Sequence, residues 1–450
     1  MIRIALAAAA LLFAAPAAAQ SQQEALDARY DRALAAGYKA LMLCGAIANA
    51  ERIGQDRSPE HVAQWELTGI QAPLNSIVNG LPHSIRVNAS GVIDYVAVDW
   101  ADDSPARFAR YRGEAGCALM PMGMQPSVTG HELPRYRDAV LRNWHTKVRT
   151  PVRSELLAAM GDRYGKGSRT TSVIVYRADD VVDEVSADGF GPFVPQRTWS
   201  VAKSLAATLV GMAVHRGEAE VTASAGLGES ADDPRRAITV DHLLRMASGR
   251  YSDTPGNRTD PLYFGGATVG ESAAHWPLIH SPGSVFRYAN NDTLMASAAI
   301  SASFERYPVA EQLRLIGMTG TTAEADWQGG YVLSSQVWAT PLDLVRFGQL
   351  YLNDGKLPDG TRILPEGWVK YVSTPSGPQP QGEFGYGAGF WLMNNSDGIP
   401  PDTFAAFGNR GQYVVIVPSR NVVIVRRGED PVGGGFDIAA FTRDVLAALN

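Results

Sequence analysis

The chain holds only two cysteines, Cys44 and Cys117, and only six lysines among its 450 residues. It has no His-Glu-x-x-His, no Cys-x-x-Cys and no Gly-x-x-x-x-Gly-Lys, so metal-hydrolase, dithiol and nucleotide-binding readings find no anchor. Basic runs are missing too. Forty Lys and Arg against 46 Asp and Glu leave a net charge of −6 and a pI near 5.8. That balance lacks the positive footprint that phosphate backbones demand, and nucleic-acid binding is excluded as an expectation. After the first twenty residues no uninterrupted apolar stretch reaches the ~18 residues of a membrane-spanning helix. What is present is ordinary globular material: 45% hydrophobic residues and 19% charged ones, enough to build a core and too apolar for disorder.

The first residues read as an address rather than as structure. Met1-Ile2-Arg3 is a positive start, Ile4 to Ala15 is apolar, and Ala17-Ala18-Ala19 is a cleavage pattern that starts the mature chain at Gln20. Residues 1–19 are therefore expected to be a signal peptide, and the protein periplasmic or secreted. In an oxidising compartment Cys44 and Cys117 most simply form one disulfide inside an N-terminal extension spanning 20–150. Two buried free thiols are the alternative. The job of that extension is not legible in its residues.

Elsewhere the periodicities are clearer. Leu26, Tyr30, Leu34, Tyr38 and Leu41 predict a helix over 23–53. TTSVIVY at 170–176 predicts a strand turning into a second one over 181–185, and a helix is predicted from Ser200 through Val214 to Gly217. Late strands are predicted at 389–393, 413–417 and 422–426, with a closing amphipathic helix over 436–449. Strands at both ends with helices between predict an α+β fold: one antiparallel sheet built from both chain ends, flanked by helices, with an inserted helical lobe.

Of the six lysines only Lys203 follows a serine by three residues, in Ser200-Val201-Ala202-Lys203. On a helix those positions share a face, and Ser200 falls at the helix start, where backbone N–H groups favour a developing anion. A serine becomes nucleophilic when a base takes its proton, and lysine is that base once its pKa falls from about 10.4 toward roughly 7–8. The same four residues also fit a capped surface helix with a solvated lysine. Tyr288 and Asn290 lie two apart in a loop, so in extended backbone they face one cleft. A half-buried packing tyrosine is the competing reading there. Gly270-Glu271-Ser272-Ala273-Ala274 departs from a nucleophile elbow. Tyr263, Phe264, Trp276, Tyr331 and Tyr386 are candidate cleft linings or plain core.

Together these motifs resemble the serine β-lactamase and penicillin-recognising hydrolases, in their class C, esterase-like branch. The resemblance covers 170–450 and rests on Trp199-Ser200-Val201-Ala202-Lys203-Ser204, Tyr288-Ala289-Asn290, Asp241 to Gly249 and Ala339 to Gly348. It makes 151–450 a β-lactamase-like hydrolase domain. The Trp-Ser-x-x-Lys-Ser start and a late Gly-x-x-Gly-Gln are most similar to 6-aminohexanoate-dimer hydrolases, which cleave small linear amides.

The resemblance implies Ser200 as nucleophile, Lys203 as base, Tyr288 as proton shuttle and Asn290 as orienting amide. The family's third motif, Lys-Thr-Gly or His-x-Gly, is not intact. Its implied equivalent is Ala406-Phe407-Gly408-Asn409. Gly408 would let backbone approach the substrate, and the N–H groups of Ser200 and Asn409 would form the oxyanion hole. Arg410 is expected to replace the missing cation as a carboxylate-binding residue. The expected function is an exported serine hydrolase acting on a small amide or ester through an acyl-enzyme, with no metal or organic cofactor. A class C-type β-lactamase or D-Ala-D-Ala carboxypeptidase is one alternative, and a non-catalytic envelope binding protein another.

Overall fold

The computed structural model describes residues 2–128, 150–178, 180–252 and 261–450, with side chains from residue 21 onward. Its first helix, α1, runs over Ile2–Arg52. The expected leader thus falls where no side chains are described, and so does the middle of the junction at 129–149. The stretch Ser21–Arg52 is long and apolar enough to cross a membrane, but its most apolar window is wholly buried inside the protein.

The N-terminal segment continues with α2 (Pro59–Trp65) and an antiparallel sheet of β1 (His83–Val87), β2 (Ile93–Val98), β3 (Arg107–Tyr111) and β4 (Cys117–Leu119), in that order. Helix α1 lies across β2, β3 and β4. A disulfide joins Cys44 in α1 to Cys117 in β4, with Cα atoms 6.0 Å apart.

The larger sheet follows the expected plan. Its strands are β5 (Thr170–Arg177), β6 (Asp180–Ser186), β10 (Gly385–Tyr386), β11 (Trp391–Leu392), β12 (Phe404–Gly408), β13 (Gln412–Val417) and β14 (Val422–Gly428). They pair antiparallel in the order β10-β11-β12-β13-β14-β5-β6. Val425 sits opposite Ile174 and Ile424 opposite Val175, so the last strand completes a sheet begun 250 residues earlier. Both faces are covered. Ile174, Tyr176, Val423 and Val425 face one core, while Val173, Val175, Val422 and Ile424 face another. That double burial is why these antiparallel strands read as continuous β-branched runs rather than alternating ones.

Three further helices carry the argument: α3 (Val201–His215), α4 (Asn290–Ala298) and α5 (Pro341–Leu352). Helix α3 is apolar all round and central, with Val201 to Ala213 buried. A small sheet of β7 (Gln196–Arg197), β8 (Thr322–Ala323) and β9 (Val337–Ala339), ordered β7-β9-β8, feeds into it. The described part of the N-terminal segment shares one hydrophobic core with these elements: Leu41 and Cys44 belong to the same cluster as Leu205 and Leu209. Even the α1 backbone lies directly on β9, since a Cβ on Gly45 would overlap the Trp338 indole.

Candidate active site

The approach to α3 is strained. Trp199 has φ of +49°, a left-handed conformation that costs a bulky residue of order 1–2 kcal/mol. It is held from below by Arg197, whose guanidinium lies 3.8 Å from the Trp199 ring and donates to the Ser335 hydroxyl at 2.7 Å. The kink leaves Ser200 half-exposed at the start of α3, with Lys203 one turn further on the same face.

Lys203 is only 2% exposed, which removes the solvated-lysine reading. Its ammonium nitrogen Nζ lies 3.0 Å from Ser200 Oγ and donates to Asn290 Oδ1 at 2.6 Å and to the Ser334 carbonyl at 2.9 Å. Among the described residues no carboxylate touches it. Burial alone therefore pushes its pKa down, to about 7. A neutral amine has two N–H bonds and one lone pair. With both N–H groups spent on Asn290 and Ser334, the lone pair faces the Ser200 hydroxyl.

Tyr288 completes the cluster. Its ring centroid is 5.0 Å from Lys203 Nζ, and its hydroxyl hydrogen-bonds with Ser200 and Trp391. Burial raises the phenol's pKa above its ordinary value, against the pull of those hydrogen bonds, so the group stays protonated near neutrality. It is suited to passing a proton on, not to removing the first one. Asn290 differs from its expected setting. It is the first residue of α4 rather than part of an extended loop, placed there by extended backbone at Ala289. The helix start is pinned because Asp292 binds buried Arg250 at 3.1 Å and the Ser248 hydroxyl at 2.7 Å.

Gly408 ends β12 against the turn that leads into Ser200. A Cβ there would overlap the Thr198 carbonyl and come within 3.2 Å of the Ser200 nitrogen. Strand β11 pairs with Phe404 and Ala405 only, so β12 runs on past it toward Ser200. Asn409 follows at the exposed turn, its side chain accepting from the Arg410 N–H at 2.9 Å. Arg410 is a correction. It is 4% exposed and points away from the cleft, to Glu429 Oε2 at 2.9 Å and the carbonyls of Trp65, Glu66 and Thr68 at 3.1, 3.2 and 2.6 Å. A buried fork turned onto a carboxylate and these carbonyls is not presented to a substrate carboxylate.

The candidate linings divide. Tyr386 and Tyr288 meet edge-on at 6.1 Å, and Tyr263 hydrogen-bonds the Ser334 hydroxyl at 2.6 Å. Phe264 packs on Tyr38 in the core, Trp276 pairs with Tyr251, and Tyr331 lines a separate 290 Å³ cavity beside Phe304. Ser334, Trp391 and Arg197 join the site without having been anticipated. A backbone carbonyl leaves no trace in sequence, and the tryptophan and arginine act through contacts between distant segments. Among the described residues no cluster of three His, Cys, Asp or Glu side chains could hold a metal ion.

The family model described as Beta-lactamase matches residues 158–448. The chain belongs to that family. β-Lactamase-family structures similar to it include a protein from Bacillus anthracis that carries the provisional name 6-aminohexanoate-dimer hydrolase. That pair is 21% identical with a TM-score of 0.53, covering 63% of this chain and 79% of the other. A D-alanine carboxypeptidase from Burkholderia cenocepacia is 17% identical with a TM-score of 0.50, covering 66% of this chain and 97% of its own. A penicillin-binding protein homologue from Caulobacter crescentus is 16% identical with a TM-score of 0.50, covering 66% and 96%. At these identities the likeness is one of fold. A comparison with curated proteins found no match. As a member of the β-lactamase family the chain is a serine hydrolase, with Ser200 and Lys203 inside the matched region.

Proposed function

We propose that this hydrolase cleaves a small amide or ester through an acyl-enzyme on Ser200. One observation carries the reading: a buried lysine, without a counter-charge among the described residues, 3.0 Å from a serine hydroxyl at a helix start. Lys203 takes the hydroxyl proton as Ser200 Oγ attacks the carbonyl carbon. The tetrahedral oxyanion rests on the N–H groups of Ser200 and Asn409, each worth roughly 3–4 kcal/mol to the barrier. The C–N or C–O bond then breaks while Tyr288 gives its proton to the leaving amine or alcohol and is reprotonated from the lysine. Water, deprotonated along the same route, attacks the acyl carbon and restores Ser200. Asn290 holds the amine in register throughout.

With Arg410 turned inward, the carboxylate anchor of a β-lactam lacks its expected partner, which favours linear substrates that carry no carboxylate beside the scissile bond, of the kind named for 6-aminohexanoate-dimer hydrolases. The Ile4–Ala15 run and the Cys44–Cys117 disulfide support export to the periplasm or medium. The test is intact-mass and peptide spectrometry after a fluorophosphonate, beside turnover of p-nitrophenyl esters, 6-aminohexanoate dimer and nitrocefin. One phosphonyl adduct on Ser200 and hydrolysis of the first two substrates are expected. Adduct on another residue would overturn the nucleophile, and nitrocefin turnover exceeding that of both others would replace the substrate class with β-lactams.

A further inference from the structure

The turn between β12 and β13 contains two consecutive left-handed residues, Arg410 at φ +58° and Gly411 at +79°. Gly411 is required, because a Cβ there would overlap the Arg426 guanidinium and the Asp430 carboxylate. Arg410 is not a residue that adopts such backbone by preference. Its side chain explains why it does. The guanidinium reaches 342 to 345 residues back along the chain, to the carbonyls of Trp65, Glu66 and Thr68, and closes on the Glu429 carbonyl at 3.2 Å and carboxylate at 2.9 Å. Glu66 is itself held by Arg57 at 2.7 Å and by the Tyr38 hydroxyl on its carbonyl. The side chains of Tyr38, Arg57, Glu66, Arg410 and Glu429 are all buried. One peptide bond upstream of this anchor is Asn409.

We propose that Arg410 is a positioning residue that fixes the Asn409 amide in the oxyanion hole by clamping its turn to the N-terminal segment, an inference that rests on the acyl-enzyme reading above. The segment that ends α2 thereby becomes part of the hydrolytic apparatus rather than an appendage to it. A single flexible ammonium would not do this. The task needs one planar group with N–H donors on three nitrogens, aimed at four carbonyls and a carboxylate in different directions.

The test is Arg410→Met and Arg410→Lys in the full chain, with sites titrated by fluorophosphonate and p-nitrophenyl butyrate as substrate. Lysine keeps the charge that Glu429 needs, so that variant keeps the test open if the methionine variant does not fold. Turnover per titrated site should fall about 100-fold in Arg410→Met and about 10-fold in Arg410→Lys, with KM changed less than about threefold. Affinity for a phenylboronic acid, which mimics the tetrahedral state, should weaken in step with kcat/KM. The acid limb of the pH profile should stay in place, because the clamp does not touch Lys203. A purely structural role would instead lower the number of titratable sites and leave turnover per site intact, and that result overturns the clamp. Wild-type label away from Ser200 would remove the acyl-enzyme reading and the clamp's role together. Label on Ser200 with unaltered turnover in both variants would remove the clamp alone.

Discussion

Two buried basic side chains, Lys203 in α3 and Arg410 just after β12, have opposite fates. Lys203 lies among a hydroxyl, an amide oxygen and a carbonyl, all neutral, and loses its hold on a proton: its pKa falls to about 7. For Arg410 burial pulls in the same direction and is the largest single influence, but the attractions of Glu429, Tyr38 and Glu66 together outweigh it and leave the group more basic than usual. Burial is common to both. The counter-charge is not, and it separates a base from a brace. A buried lysine surrounded by neutral acceptors is poised for proton transfer, while a buried arginine beside a carboxylate holds backbone in place.

The comparison breaks most completely at Lys203→Arg. A guanidinium keeps its proton, so the base is lost although the charge and length are nearly kept. Steady-state turnover should fall by at least about 10³-fold while the protein still melts cooperatively. The contrast sharpens with Asn290→Asp, which places a carboxylate where an amide oxygen now sits 2.6 Å from the amine. The lysine would then resemble Arg410. Its pKa should rise by about 1–3 units, and the acid limb of kcat/KM should move alkaline by as much, costing about 5- to 500-fold at pH 7. The smallest effect on chemistry comes from Glu429→Gln, which strips the counter-charge from Arg410 instead. Denaturant unfolding should show a loss of about 3 kcal/mol from an unpaired buried cation, with the midpoint of the pH profile unmoved.

Much of this was legible in the residues. The strands TTSVIVY and YVVIV and the helix after Ser200 follow from periodicity and composition, because their burial is uniform along each element. The meeting of Ser200 with Lys203 follows from helical geometry, since positions three apart share a face. Tyr288 and Asn290 were matched to the right neighbours with the wrong backbone: Asp292, bound to Arg250 and Ser248, starts a helix at Asn290. Arg410 misled because sequence distance from Gly408 says nothing about which side of a hairpin a side chain takes. Two left-handed residues in succession turned it away from the cleft. The role of the N-terminal segment was unreadable for a related reason. Its contacts with Trp338, Glu324 and Arg410 join residues hundreds of positions apart, and no local pattern encodes them.

The central claim concerns the ionisation of one amine, and the pH dependence of single-turnover acylation at Ser200 reaches it most directly. Protonated lysine cannot accept the hydroxyl proton, so the rate should rise tenfold per pH unit on the acid side and level off with a midpoint near 7. A rate that is flat between pH 5 and 9, or one still climbing above about pH 9 as an ordinary lysine would dictate, would contradict the account.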